Sequence, residues 1–102
     1  MKIDMEKERR ELLRWLLLLA LYNGRPYGCA EMVLLSTAQG VYKDATPLEI
    51  RQLLDYLEDR RLVEIERSPS GPWRAELTRY GVDIVEYTVD CQPGIARPPK
   101  YW

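Results

Sequence analysis

From Trp15 to Tyr22 every position is apolar, whereas the run from Asp4 to Glu11 that precedes it is almost entirely charged. The two halves read as one helix over residues 4 to 22, stopped by Asn23-Gly24 with Pro26 just beyond. Glu6 stands four residues before Arg10, and Lys7 four before Glu11. Mixed charges at that spacing mark a solvated helical face with no further role. The second half is apolar on nearly every side, and such a helix must be covered on every side. One short chain is a poor source of that cover. A partner subunit is therefore expected, with Trp15, Leu18, Leu19 and Tyr22 at a homodimer interface.

Ala30, Val33, Leu34 and Ala38 recur at helical spacing. They predict a second helix over residues 28 to 39, ended by Gly40, with Val41-Tyr42 as a short extended piece. The third helix has the clearest start. In Thr46-Pro47-Leu48-Glu49 the Thr46 hydroxyl can accept from the Glu49 amide, and the Glu49 side chain can reach back to the Thr46 amide. Pro47 gives up an amide that has no helical partner. Ile50, Leu53, Leu54 and Leu57 mark the buried face, Tyr56 its edge; Arg51, Gln52, Asp55, Glu58 and Asp59 face outward.

After Arg60-Arg61 the period changes to two. Val63 and Ile65 alternate with Glu64 and Glu66; Trp73, Ala75 and Leu77 alternate with Arg74 and Glu76. The Ser68-Pro69-Ser70-Gly71-Pro72 loop joins the two runs into an antiparallel hairpin. Thr78 can cap a last helix reaching Thr88, with Val82, Ile84 and Val85 inward and Gly81 as its weak point. Pro93, Gly94, Pro98 and Pro99 make residues 90 to 102 an extended arm, and its Tyr101-Trp102 end suggests an arm strapped across a neighbour.

Length and composition bound what this pattern can be. The chain has 102 residues, 46% of them hydrophobic, which suits one domain (residues 1 to 89) plus the arm. The net charge of −1 argues against a generic nucleic-acid coat, though not against a local basic patch. The eight-residue apolar run falls well short of the ~20 residues a membrane-spanning helix needs. With no secretory cleavage site after it, a cytoplasmic protein is expected. There is no histidine, and Cys29 and Cys91 stand apart, so no zinc site is expected and the thiols read as reduced. Cys29, at the start of the second helix, reads as core.

Helix, helix, capped helix, hairpin, helix is the order of a winged helix-turn-helix, a mainly α architecture with a small β-hairpin. The stretch from Leu53 to Ile65 resembles the recognition-helix-to-wing segment of bacterial ArsR/MarR-like regulators, and Leu77-Thr78-Arg79-Tyr80-Gly81 resembles the segment after their wing. Arg61 stands where glycine is common at that turn. Leu77-Thr78 with Gly81, Asp83-Ile84-Val85-Glu86 and Pro93-Gly94-Ile95-Ala96-Arg97-Pro98 is similar to a family of small winged-helix proteins of Mu-like bacteriophages and prophages. That resemblance spans roughly residues 8 to 99 and implies a phage-encoded regulator in a bacterial host. The cysteines of metal-sensing relatives have no counterpart.

On this reading Thr46, Arg51 and Gln52 face the major groove of double-stranded DNA, since Arg and Gln make two-point contacts to base edges. Lys43, Arg67 and Arg74 hold phosphates, and Ser68 and Ser70 add neutral hydrogen bonds at the wing tip. Against it, the third helix carries Glu49, Asp55, Glu58 and Asp59 beside one cation, Arg51. A protein-docking module, binding a phage or host protein, is the competing class. Enzyme chemistry is not expected: there is no phosphate loop and no metal-spacing cluster, the serines are only Ser36, Ser68 and Ser70, and no cofactor is implied. Trp15, Trp73 and Tyr22 read as packing anchors, not as a ligand cage.

Overall fold

The computed structural model describes residues 3–100; the expectation for Tyr101-Trp102 lies outside them. In chain order the elements are α1 (Met5–Asn23), β1 (Cys29–Ala30), α2 (Glu31–Gln39), α3 (Pro47–Asp59), β2 (Val63–Glu66), β3 (Arg74–Leu77) and α4 (Arg79–Val85). Among the described residues no helix is long and apolar enough to cross a membrane.

α1 is the central rod. Asp4 caps it by accepting from the Lys7 amide, and Leu13, Leu17, Leu18 and Leu21 on it are wholly buried. The cover comes from the chain itself, because α2, α3, β3 and α4 all pack on α1. The arm closes a further side. The Ala96 amide donates to the Glu11 carbonyl at 3.1 Å, Arg14 Nη1 to the Gly94 carbonyl at 2.9 Å, and Arg97 Nη1 to those of Ile84 and Val89 at 3.0 Å. The arm is thus strapped across its own domain.

The expected seam at Trp15 and Leu18 is corrected accordingly. Leu18 is sealed in the core. Trp15 is buried with its ring edge-on to Tyr87, centroids 6.2 Å apart. Leu19 and Tyr22 are half-buried, and the Tyr22 hydroxyl donates to Glu86 Oε2 at 2.7 Å. Periodicity shows that a helix must be covered, but not by which segment.

The wing is a three-stranded antiparallel sheet in the order β1-β3-β2. Val63 pairs with Leu77 and Ile65 with Ala75; Glu64 stands opposite Glu76 and Glu66 opposite Arg74. The hairpin matches the alternation in the sequence. β1 was not expected: Cys29 and Ala30 pair with Ala75 and Arg74, and two residues are too few to display a period. Gly28 enters this strand at φ 74°, where a side chain would meet the Ala75 carbonyl. The second helix therefore starts at Glu31, not at residue 28. Val33, expected to face inward, is about half exposed. Val41-Tyr42 is a turn on the Ala38 carbonyl, not an extended piece.

α3 has its predicted core face, Ile50, Leu53, Leu54 and Leu57. Thr46 accepts from the Glu49 amide at 3.2 Å. The return half of the capping box is not made, because the Glu49 carboxylate is held by Arg9. After α3 the chain turns through Arg61 at φ 64°, the left-handed region that a glycine would enter freely. That conformation costs a non-glycine residue about 1–2 kcal/mol. The Thr78 hydroxyl stabilises the turn by donating to the Arg61 carbonyl at 2.7 Å, while accepting from the Gly81 amide to cap α4.

α4 ends at Val85, three residues before the expected Thr88, and Tyr87 beyond it lies at φ 62°. Val82, Ile84 and Val85 are buried as anticipated. Gly81 is a requirement of packing, not a weak point. A Cβ there would run into the Leu62 carbonyl oxygen, which is backbone and cannot swing aside. Gly81→Ala is therefore expected to cost about 1–3 kcal/mol through overpacking. For a domain of this size each of those kcal/mol lowers Tm by roughly 4–8 °C, readable in a circular-dichroism melt. An unchanged Tm would contradict the close approach.

Candidate nucleic-acid interface

α3 and the wing meet at one cluster. Glu31, the first residue of α2, is a buried charged side chain. Its carboxylate accepts from Arg51 Nε and Nη2, both at 2.7 Å, and from the Trp73 amide at 3.1 Å. In return the Glu31 amide donates to the Trp73 carbonyl at 2.9 Å. The Arg51 guanidinium lies over the Trp73 ring, 4.6 Å from its centroid. One carboxylate thus ties the start of α2, the middle of α3 and the entry to β3.

Arg67 fastens the other side of the wing stem. Its guanidinium bonds Asp55 at 2.7 Å and Glu58 at 2.9–3.0 Å and lies 4.7 Å from the Trp73 ring centroid. Arg9 of α1 does the same at the other end of α3. It bonds both oxygens of Glu49 at 2.8–2.9 Å, bonds Asp44 at 2.8 Å, and covers the Tyr42 ring. Three of the four carboxylates of α3 are thus paired with cations from outside the helix. Charge-assisted, two-point pairs of this kind are the strongest protein hydrogen bonds. The hydrogen bonds from Arg51 hold the Glu31 carboxyl below the ordinary carboxylate range, against a burial effect of opposite sign. Those from Arg67 do the same for Glu58.

The residues singled out in the sequence fall into two groups. Arg51 and Arg67 are turned back onto the protein, where the sequence reading had them on bases and phosphates. Arg74 is exposed, but one of its nitrogens donates to the Tyr27 carbonyl at 3.1 Å. Lys43, in the turn between α2 and α3, and Gln52 on α3 are exposed. So are Ser68 and Ser70 at the wing tip, and Thr46, whose hydroxyl caps α3. Arg9, Glu31 and Trp73 organise this surface; the sequence marks Trp73 as a packing anchor but does not mark Arg9 or Glu31. Arg9 looked like one charge of a solvated face because its partners lie 35 and 40 residues away. The available signal for Glu31 was a carboxylate inside an otherwise apolar stretch.

Burial pushes both thiols, Cys29 and Cys91, above the ordinary cysteine range, which disfavours the reactive thiolate. Among the described residues no three metal-ligating side chains are grouped closely enough to hold an ion.

Because Glu31 and Glu58 have depressed folded values, their contribution to stability is complete above the ordinary carboxylate range and is lost as pH falls through those folded values. Glu31→Gln is expected to cost about 1–3 kcal/mol near neutral pH, the penalty for leaving Arg51 poorly paired. It should also flatten the loss of stability on acidification. Urea unfolding of wild type and variant between neutral and acidic pH measures both; parallel curves would remove the special role of this carboxylate.

No protein-family model matches the sequence, and no curated protein is detectably similar to it. Solved structures do share its fold. MepR, a transcription regulator of the Staphylococcus aureus multidrug efflux pump MepA, superposes with a TM-score of 0.61 at 21% identity, over 82% of this chain and 60% of MepR. The S. aureus MepR–DNA complex gives 0.63 at 20% identity, over 81% and 67%. A MepR mutant from a multidrug-resistant S. aureus clinical isolate gives 0.62 at 20%, over 85% and 63%. The chain spans about three-fifths of the MepR chain first named. At such identities the likeness is one of architecture: four helices and a small antiparallel sheet, arranged as the winged helix-turn-helix of these regulators.

Proposed function

We propose that this chain is a DNA-binding transcription regulator, encoded by a phage or prophage, that inserts α3 into the major groove. The observation that carries the reading is the exposed polar edge of α3. Thr46 and Gln52 are open to solvent on it, Lys43 stands just before it, and Ser68 and Ser70 stand at the tip of the adjoining wing. The fold likeness to a regulator solved in complex with DNA supports DNA as the partner. The acidity of α3, which argued against DNA in the sequence, is offset locally by Arg9 and Arg67. Lys43 would then bind a phosphate, and Gln52 would reach base edges. The motif of residues 93–98 supports the phage origin.

A homodimer belongs to the same proposal, since two copies would present two reading helices to two half-sites. Sedimentation is expected to show a dimer at high micromolar concentration; a monomer there would remove the two-half-site scheme.

Docking to a phage or host protein is favoured by a different observation. Glu64 and Glu76 stand directly opposite one another on the wing, a repulsive pair that phosphates would aggravate.

A gel shift with DNA from the source genome separates the two. Binding is expected at low salt and should weaken steeply as salt rises. Lys43→Ala should lower affinity across all sequences and reduce the slope of log affinity against log salt by about 1. No shift at any salt would sink the DNA reading.

A further inference from the structure

The exposed part of α3 also indicates which bases it suits. Guanine is most often read by a free arginine or lysine presenting two donors. On α3 the sole cation, Arg51, spends Nε and Nη2 on Glu31. Arg60, at the far end, is folded over the Tyr56 ring, 4.8 Å from its centroid. The first two turns of α3 are the part of such a helix that meets base edges. Beyond the first-turn Pro47, the side chains they leave open are Leu48, 66% exposed, and Gln52 four residues on, on the same stripe. The two side chains line one concavity with Thr46 and Glu49 and with Glu6, Arg9 and Arg10 of α1, where Arg9 is paired with Glu49. The core has no use for Leu48, since the buried face of α3 is made by Ile50, Leu53, Leu54 and Leu57.

We propose that Leu48 and Gln52 together select A·T base pairs, with Leu48 packing on the C5-methyl of a thymine. The inference rests on the DNA-binding reading and adds the base class to it. An amide side chain matches adenine, offering a donor to N7 and an acceptor to the N6 amino group. An aliphatic side chain in the major groove finds one apolar feature on the base edges, the thymine methyl. Leu48 would leave the polar edge of a G·C pair unpaired at that position, which disfavours it. Arg10, exposed across the concavity, supplies a phosphate contact that positions the pair without reading sequence.

The test uses the full-length protein and duplexes selected by it from a random pool. Selected duplexes are expected to carry A·T pairs at the centre of each protected footprint. The best duplex is then remade with deoxyuridine in place of thymine, which removes only the methyl groups. Wild type should bind the deoxyuridine duplex about fourfold more weakly, the ~0.8 kcal/mol of one buried methyl-sized group. Leu48→Ala should bind both duplexes equally; its melting temperature, expected to match wild type because the side chain is exposed, checks that it folds. Selection of G·C-centred duplexes, equal binding of both duplexes by wild type, or discrimination retained in Leu48→Ala would each overturn the proposal while leaving DNA binding intact. Absence of binding to any duplex would overturn both.

Discussion

The arrangement of this molecule depends on one carboxylate. Glu31 opens α2 with its charge buried and satisfies that charge from two directions at once, the Arg51 guanidinium on α3 and the Trp73 amide at the base of the wing. A buried carboxylate is costly unless it is paired and fully hydrogen-bonded, so the three elements that satisfy it cannot drift independently. Trp73 gains from the same geometry, with the Arg51 and Arg67 guanidinium groups both lying against its ring. The wing is thereby held to α3 by charge-assisted bonds as well as by the shared apolar core.

The same kind of pairing governs the surface of the acidic helix α3. The helix is not left to display its carboxylates. Arg9 from α1 and Arg67 from the wing each engage carboxylates of α3 with near-ideal bonds, and Asp44 is drawn into the first pair. Such partly exposed pairs contribute little to stability individually. Their larger effect is to determine which polar groups remain open. The one cation on α3, Arg51, is engaged by Glu31, and the small neutral amide of Gln52 and the aliphatic Leu48 are left outward.

Much of the architecture was legible. The capped start of α3, its buried stripe and the alternating strands around the Ser-Gly-Pro loop are local signals, each complete within fifteen residues. Arg61 shows a local rule overridden. It adopts the left-handed conformation despite its side chain because Thr78, seventeen residues on, holds its carbonyl. β1 escaped notice because it is a strand only by virtue of β3 beside it. The apolar half of α1 shows in the sequence that it needs cover on all sides, but not that α2, α3, β3, α4 and the arm of the same chain supply it. An extended proline-rich segment has no period, so its docking site leaves no trace in its own sequence.

The sequence by itself determined the order and kind of the elements, the core face of each helix, and the chemistry available at the surface. These follow from periodicity, capping and composition, which are properties of neighbouring residues. Only the tertiary structure decided which charges are spent and which are free. Arg51 and Gln52 are adjacent and both read as outward-facing in the chain, yet one is locked to a carboxylate twenty residues away and the other is open to solvent. Electrostatic pairing depends on distance through space, and that distance is settled only when the chain has closed on itself.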